Sequence, residues 1–200
     1  MKRVVLLTVL LSVNVSISAQ TDFEYYNIAL VKYNMRDYQG ARADLTKAIE
    51  FNSENIAAYI LRGASSYNLE DFHKAIDDYT RAIKIISGKS TSLRITMTDQ
   101  KGNLIEKRSS LKADPELATA YYNRALARTA IDDYREAVND YSRAIENDPD
   151  MLNAYYKRGQ IKYKMNDKEG ACADWRTANE KGLEEAYETI IELCSEIEKP

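Results

Sequence analysis

The sequence is poor in the side chains from which metal and catalytic sites are usually built. Its 200 residues include one histidine and two cysteines, too few for a structural zinc cluster. Its seven glycines are scattered, so no glycine-rich loop that could cradle a phosphate is present. The formal net charge of −3 argues against a protein that coats nucleic acid, which would carry a basic face. We therefore expect no enzyme, no cofactor, no metal site and no nucleic-acid partner.

Long apolar runs are also missing, and the one short run lies near the start of the chain. It extends from Val4 to about Val15, follows two basic residues and precedes small residues that end at Ala19. This order is typical of a secretory signal peptide, whereas a membrane-spanning helix needs about 20 apolar residues. We predict a signal peptide at 1–19, with an uncleaved anchor as the alternative. After cleavage, residues 20–200 would carry no integral membrane segment and would be exported, to the periplasm or as a secreted protein.

What the sequence does contain is a repeat. A nine-residue pattern with Ala, an aromatic residue or Leu, and Ala at i, i+4 and i+7 begins at Ala41, Ala75, Ala137 and Ala171. Successive copies are offset by 34, 62 and 34 residues, so the middle interval is longer than the others by 28. The spacing within each copy is one face of an amphipathic helix, and a second helical pattern precedes each copy. The sequence predicts four helix–turn–helix repeats with an insertion after the second.

These residues resemble the tetratricopeptide repeat family, in which a helix–turn–helix recurs every 34 residues. Each preceding helix opens with a tyrosine, and a small residue follows four positions later: Tyr25 and Ala29, Tyr59 and Gly63, Tyr121 and Ala125, Tyr155 and Gly159. Tyrosine stands where the family has its opening tryptophan. The resemblance implies an all-α, right-handed solenoid in a single domain over 20–200. The repeats cover about 22–55, 56–86, 118–151 and 152–183, and a capping helix follows at about 184–198.

Charged residues recur with the repeat in three columns. An aspartate precedes each second helix, where it is expected to cap the helix start: Asp37, Asp71, Asp133 and Asp167. Arginines and further aspartates form the other two columns: Arg62, Arg124 and Arg158, and Asp44, Asp78, Asp140 and Asp174. We expect the arginines and aspartates of these two columns to pair and to fix the packing of neighbouring helices. A charged binding stripe is the alternative.

The insertion at about 87–114 differs in composition from the repeats. Leu93, Ile95 and Met97 alternate with polar residues, which is the period of a β-strand. Turn residues follow, and we predict a β-hairpin that projects from the second repeat. Its basic residues are possible contacts with an acidic partner: Arg94, Lys101, Lys107 and Arg108. Alternatively, the insertion is a tolerated loop folded onto the protein's own surface.

The two cysteines lie on the last two predicted helices. If these helices fold back on each other near Gly182, Cys172 and Cys194 come side by side. An oxidising compartment outside the cytoplasm would then preserve a disulfide between them. Two buried free thiols are the alternative.

Fifteen tyrosines against three phenylalanines indicate rings that are partly buried and partly solvated. In repeat solenoids the curved stack creates a concave binding surface, and the predicted groove is rich in tyrosine and asparagine, which suits an adaptable binding surface. Its residues are Tyr26, Asn27, Leu30, Tyr33, Tyr67, Asn68, Tyr122, Asn123, Leu126, Tyr156, Lys157, Gln160 and Tyr163. We predict a non-catalytic adaptor of the cell envelope that binds a protein or peptide segment. The alternative is a structural protein that self-assembles through the insertion.

The resemblance also places the leading lysine of the family's chaperone-binding clamp in one column of this groove. That column holds Tyr26, Ile60, Tyr122 and Tyr156 in this chain. The absence of lysine there argues against capture of a chaperone's carboxyl terminus.

Overall fold

Helices make up nearly all of the chain described by the computed structural model, which covers 21–92, 97–98, 104–105 and 114–195. The helices are α1 (21–34), α2 (Tyr38–Phe51), α3 (Ile56–Asn68), α4 (Phe72–Ser92), α5 (Pro115–Ala130), α6 (Tyr134–Asn147), α7 (Leu152–Lys164), α8 (Lys168–Glu180) and α9 (Glu185–Cys194). Two short strands, β1 (Met97–Thr98) and β2 (Leu104–Ile105), lie between α4 and α5. The helices follow the predicted repeats, with an odd-numbered first helix and an even-numbered second helix in each. No helix in these ranges is long and apolar enough to cross a bilayer.

The turn between the two helices of each repeat has the same backbone geometry. In the second repeat, Glu70 has a φ of 59°, and the N–H of Asp71 donates to the carbonyl of Ser66 at 2.9 Å. This is the bond pattern of a Schellman motif, which ends a helix with one left-handed residue. The equivalent left-handed residues are Arg36, Asp132 and Asn166. None of the four is glycine, although a left-handed conformation costs other residues about 1 to 2 kcal/mol.

The aspartates that follow these turns cap only some of the second helices. The Asp37 carboxylate accepts from the N–H of Gly40 at 2.9 Å, and Asp167 makes the equivalent bond at 3.0 Å. Asp133 makes no side-chain cap bond to α6. In the two capped helices the residue three positions on is glycine, and a Cβ there would collide with the capping carboxylate. The expectation that every aspartate caps is therefore wrong for Asp133.

The chain divides into two compact units, Met1–Ile85 and Ile86–Pro200, and the two helices of each repeat pack closely inside them. In the N-terminal unit, a Cβ on Gly63 would lie 2.8 Å from the ring of Tyr79. In the C-terminal unit, a Cβ on Gly159 would lie 2.6 Å from the indole of Trp175. A glycine thus lets the aromatic residue of the second helix lie directly against the first helix. These contacts explain why small residues follow the opening tyrosines.

The predicted β-hairpin insertion at 87–114 is wrong. Helix α4 continues to Ser92, so the insertion begins by prolonging the second repeat's helix. The strand pair that the structure describes consists of two residue pairs, with Met97 opposite Ile105, whereas strands typically have about five or six residues. The described strands are thus much shorter than the hairpin that the alternation predicted. The basic residues Arg94, Lys101, Lys107 and Arg108 lie outside the described residues, as does the predicted signal peptide.

Candidate binding face

In the N-terminal unit the predicted groove residues lie on α1 and α3. Their side chains are half-buried or exposed. Tyr26, Asn27, Leu30 and Tyr33 lie on α1, and Tyr67 and Asn68 lie on α3. The Asn68 amide donates to the Tyr33 hydroxyl at 3.2 Å, which links the two first helices directly. The Tyr33 ring also contacts that of Tyr38, with centroids 5.3 Å apart. This face therefore combines ring edges with hydrogen-bonding groups, and its aromatic residues are held in place by neighbours.

In the C-terminal unit a pocket of about 490 Å³ opens between α5, α7, α8 and α9. Three of the predicted groove residues line it: Tyr156, Gln160 and Tyr163. Seven further residues complete the lining and were not predicted: Thr129, Ile161, Lys164, Trp175, Thr189, Glu192 and Leu193. Lys164 follows a predicted groove tyrosine directly, so its position was detectable. Nothing in the sequence indicates that residues of α9 line a pocket, because the position of the last helix depends on tertiary packing.

Some polar groups of the pocket wall are bonded within the protein, and others are available to a ligand. The Trp175 indole N–H donates to the carbonyl of Tyr156 at 3.1 Å, and the Tyr156 hydroxyl is 3.1 Å from the hydroxyl of Thr189. Among the described residues, Gln160 and Glu192 have no hydrogen-bond or ion-pair partner. Lys164 adds an ammonium that lies over the Tyr134 ring, so the lining combines aromatic walls with side chains of both charges.

The equivalent tyrosines of the other repeats are more accessible than Tyr156. Tyr26 and Tyr122 are half-buried, whereas Tyr156 is 6% exposed. Its hydroxyl contact with Thr189 shows that α9 covers it. The predicted groove is therefore obstructed at its last repeat by the chain's own final helix.

The other predicted groove residues of this unit do not line the pocket. The Tyr122 ring packs edge-on against that of Tyr141, with centroids 5.8 Å apart. Leu126 packs against the core cluster around Tyr141. The Lys157 ammonium lies 5.9 Å from the centroid of the Tyr156 ring, and Asn123 is half-buried on α5.

Cys172 on α8 and Cys194 on α9 form a disulfide, with their Cα atoms 5.9 Å apart. Both residues are 1% exposed. They belong to an apolar cluster that also contains Tyr156, Trp175 and Ala186. The disulfide thus joins the last residue of α9 to the helix that carries one wall of the pocket.

The charged columns pair with each other, which confirms the structural interpretation. Arg62 donates to Asp78 at 2.6 Å, and the equivalent pairs are Arg124 with Asp140 and Arg158 with Asp174. In the first repeat Lys32 pairs with Asp44. Burial raises the pKa of the Asp78 carboxyl, while the bond from Arg62 acts in the opposite direction. Because these carboxylates are buried, they do not form an exposed binding stripe.

Comparisons with known proteins agree with this architecture. A model described as TPR repeat matches residues 127–166, and two models described as tetratricopeptide repeat match 26–90 and 153–181. No curated protein sequence matches significantly.

Solved structures of similar fold are less than 25% identical in sequence, so they show the fold alone. MamA from Desulfovibrio magneticus RS-1 has a TM-score of 0.61 at 16% identity, with 80% of this chain and 75% of that chain covered. The first TPR of Spaghetti (RPAP3), bound to the HSP90 peptide SRMEEVD, has a TM-score of 0.57 at 19% identity, with coverages of 74% and 95%. A tetratricopeptide repeat protein from Parabacteroides merdae ATCC 43184 has a TM-score of 0.62 at 19% identity. The match covers 84% of this chain and 56% of that longer protein.

Proposed function

Because the chain belongs to the tetratricopeptide repeat family, we propose that it is a non-catalytic adaptor that binds an extended segment of a partner protein. In the N-terminal unit the binding face consists of the first helices α1 and α3. The observation that carries this proposal is the half-exposed aromatic and amide face of α1 and α3, where Tyr33 and Asn68 meet across the two helices. Tyrosine offers contact area at low entropic cost, and asparagine can bond to a peptide backbone.

The proposal is supported by the peptide held by a protein of the same fold. The first TPR of Spaghetti was solved with a bound HSP90 peptide. In the present chain, Tyr26, Ile60 and Tyr122 occupy the column to which the family resemblance assigns the leading clamp lysine. A cation that would hold a terminal carboxylate is thus replaced by apolar and aromatic side chains. The partner segment is accordingly recognised through its apolar side chains and backbone rather than through a carboxyl terminus.

The proposed place of action is the cell envelope or the exterior of the cell. The layout of residues 1–19 is the basis of this part, and cleavage near Ala19 would release the mature protein. The Cys172–Cys194 disulfide is compatible with it, because disulfides persist in oxidising compartments. Mass spectrometry of the protein purified from its native cells tests the proposal. A mature chain beginning near residue 20 in the envelope or medium supports export, and a full-length cytoplasmic chain contradicts it.

Selection from a displayed library of random peptides tests the binding function and needs no identified partner. Selected peptides are titrated calorimetrically against the wild-type chain and against Tyr26→Ala and Tyr33→Ala. We expect each groove variant to weaken binding by about tenfold, which corresponds to one well-packed interface residue. Tyr187→Ala is the matched control, because Tyr187 is 54% exposed on α9 and does not belong to the predicted groove. Equal losses in all three variants, or no selected peptide, would contradict the proposal.

A further inference from the structure

Helix α9 closes one end of the binding face in the C-terminal unit. It supplies Thr189, Glu192 and Leu193 to the pocket lining, and it buries Tyr156, whose equivalents in the first and third repeats remain half-exposed. Trp175, beneath the same pocket, is 1% exposed. The position of α9 therefore decides whether Tyr156 is buried beside this pocket or accessible to a partner.

The sequence of α9 gives the helix little stability of its own. It has ten residues and no side-chain N-cap bond, and isolated helices shorter than about 12 to 15 residues are marginal in water. Glu192 adds a negative charge near its C-terminus, where the helix dipole disfavours one. It is attached by one apolar flank, which includes Ala186 and Leu193, by the hydroxyl contact of Thr189 with Tyr156, and by the disulfide at its last residue, Cys194.

We propose that the Cys172–Cys194 disulfide is a redox-sensitive clasp that holds α9 over the groove. A dithiol reductant opens it by thiol–disulfide exchange. One reductant thiolate attacks the sulfur of Cys194, the S–S bond breaks, and Cys172 leaves as a thiolate that takes up a proton. The second thiol of the reductant then displaces Cys194. The reductant is oxidised to a disulfide by two electrons, and both cysteines become thiols.

The position of the disulfide explains how a buried bond can be reached. Cys194 is the last residue of α9 and is followed by Ser195, which is exposed. Helix ends fray at low free-energy cost, so opening the last turn uncovers the sulfur. Once reduced, α9 detaches, the pocket loses one wall and Tyr156 becomes accessible. The meaning of this step for partner binding rests on the proposed function, whereas the opening itself needs no partner.

Hydrogen–deuterium exchange of the full chain, with and without dithiothreitol, tests the clasp. Alkylation and mass measurement first establish that both thiols are free. We expect the amides of α9 to exchange about tenfold faster or more after reduction, while those of α5 to α7 keep their rates. The chain contains a single tryptophan, so acrylamide quenching of Trp175 should rise in parallel.

The double variant Cys172→Ala/Cys194→Ala is the matched control. It should show the exchange pattern of the reduced protein in either condition, which separates loss of the disulfide from other effects of the reductant. Unchanged α9 exchange with both thiols free would overturn the proposal, because packing alone would then hold the helix. Failure of dithiothreitol to free the thiols in the folded protein would also overturn it. A uniform rise in exchange over the whole C-terminal unit would overturn it as well, because the disulfide would then stabilise the unit rather than hold α9 alone. Since no peptide is used, none of these results depends on the binding function.

Discussion

Arg158 on α7 lies between Asp174 of its own repeat and Ser142 of the repeat before it. Its Nη2 atom donates to the carboxylate at 2.6 Å, and its Nη1 atom donates to the serine hydroxyl at 2.9 Å. In the N-terminal unit, Arg62 bonds in the same way to Asp78 and to the Thr46 hydroxyl. One guanidinium thus ties three helices together. Within each unit, this arginine sets the register between the two repeats as well as within its own repeat.

The most deeply buried of these carboxylates should be the most costly to remove. Asp140 is 1% exposed and accepts from Arg124 and from Arg128, at 2.7 and 2.6 Å. Asp140→Ala removes the buried carboxylate to which both guanidinium groups donate, and we expect a loss of about 3 to 5 kcal/mol in the free energy of unfolding. Urea denaturation followed by circular dichroism measures it. Glu146→Ala breaks an exposed pair with Arg143 and should cost less than about 1 kcal/mol; similar losses in both variants would contradict this account.

The close approach of α7 and α8 depends on Gly159. A Cβ at this position would lie 2.6 Å from the Trp175 indole and 3.1 Å from the carbonyl of Ala171. We expect Gly159→Ala to destabilise the protein by about 1 to 3 kcal/mol, because backbone and an inflexible ring must shift. Gly88→Ala is the control, since a Cβ there meets nothing within 4 Å and should stabilise α4 by up to about 1 kcal/mol. Thermal unfolding of both variants gives the comparison, and two shifts of the same sign would refute the packing argument.

The turn between α3 and α4 should be improved by glycine. Glu70 has a φ of 59°, which glycine adopts without the steric cost of a side chain. We expect Glu70→Gly to raise the free energy of unfolding by about 0.5 to 1 kcal/mol, the net of relieved strain and greater freedom in the unfolded chain. At the preceding residue, Leu69, φ is −91°, so Leu69→Gly should destabilise. If chemical denaturation ranks the two variants the other way, strain at Glu70 is not significant.

The capping aspartates should differ in their contribution to stability. Asp167 caps α8 through the N–H of Gly170, so Asp167→Ala should cost about 1 kcal/mol. Asp133 makes no such bond to α6, and its nearest cation, Arg128, is 3.9 Å away. Asp133→Ala should therefore cost less than half as much. Equal losses in urea denaturation would show that the aspartates act by charge rather than by capping.

The repeats could be predicted from the sequence because the same residue types recur at a fixed spacing. Helix positions, the small residues against Tyr79 and Trp175, and the pairing of the charged columns all recur with the 34-residue offset. Features without a periodic counterpart were harder to predict. The alternation around Ile95 indicates a hairpin, although the preceding residues continue the helix to Ser92.

The candidate binding face was predictable only in part, for the same reason. The tyrosine column follows from the period, but the burial of Tyr156 does not, because it depends on where a single helix docks. The left-handed turns were also missed. They are filled by residues as different as Arg36 and Asn166, so residue type gives no indication of the backbone conformation.

Chemical-shift mapping of a library-selected peptide on the isotopically labelled chain tests the central claim most directly. The account predicts shift changes at Tyr26, Tyr33, Asn68 and their neighbours on α1 and α3, with intermolecular contacts from the peptide's apolar side chains to these tyrosine rings. Shift changes confined to the second helices α2 and α4 would place the partner away from this face and contradict it.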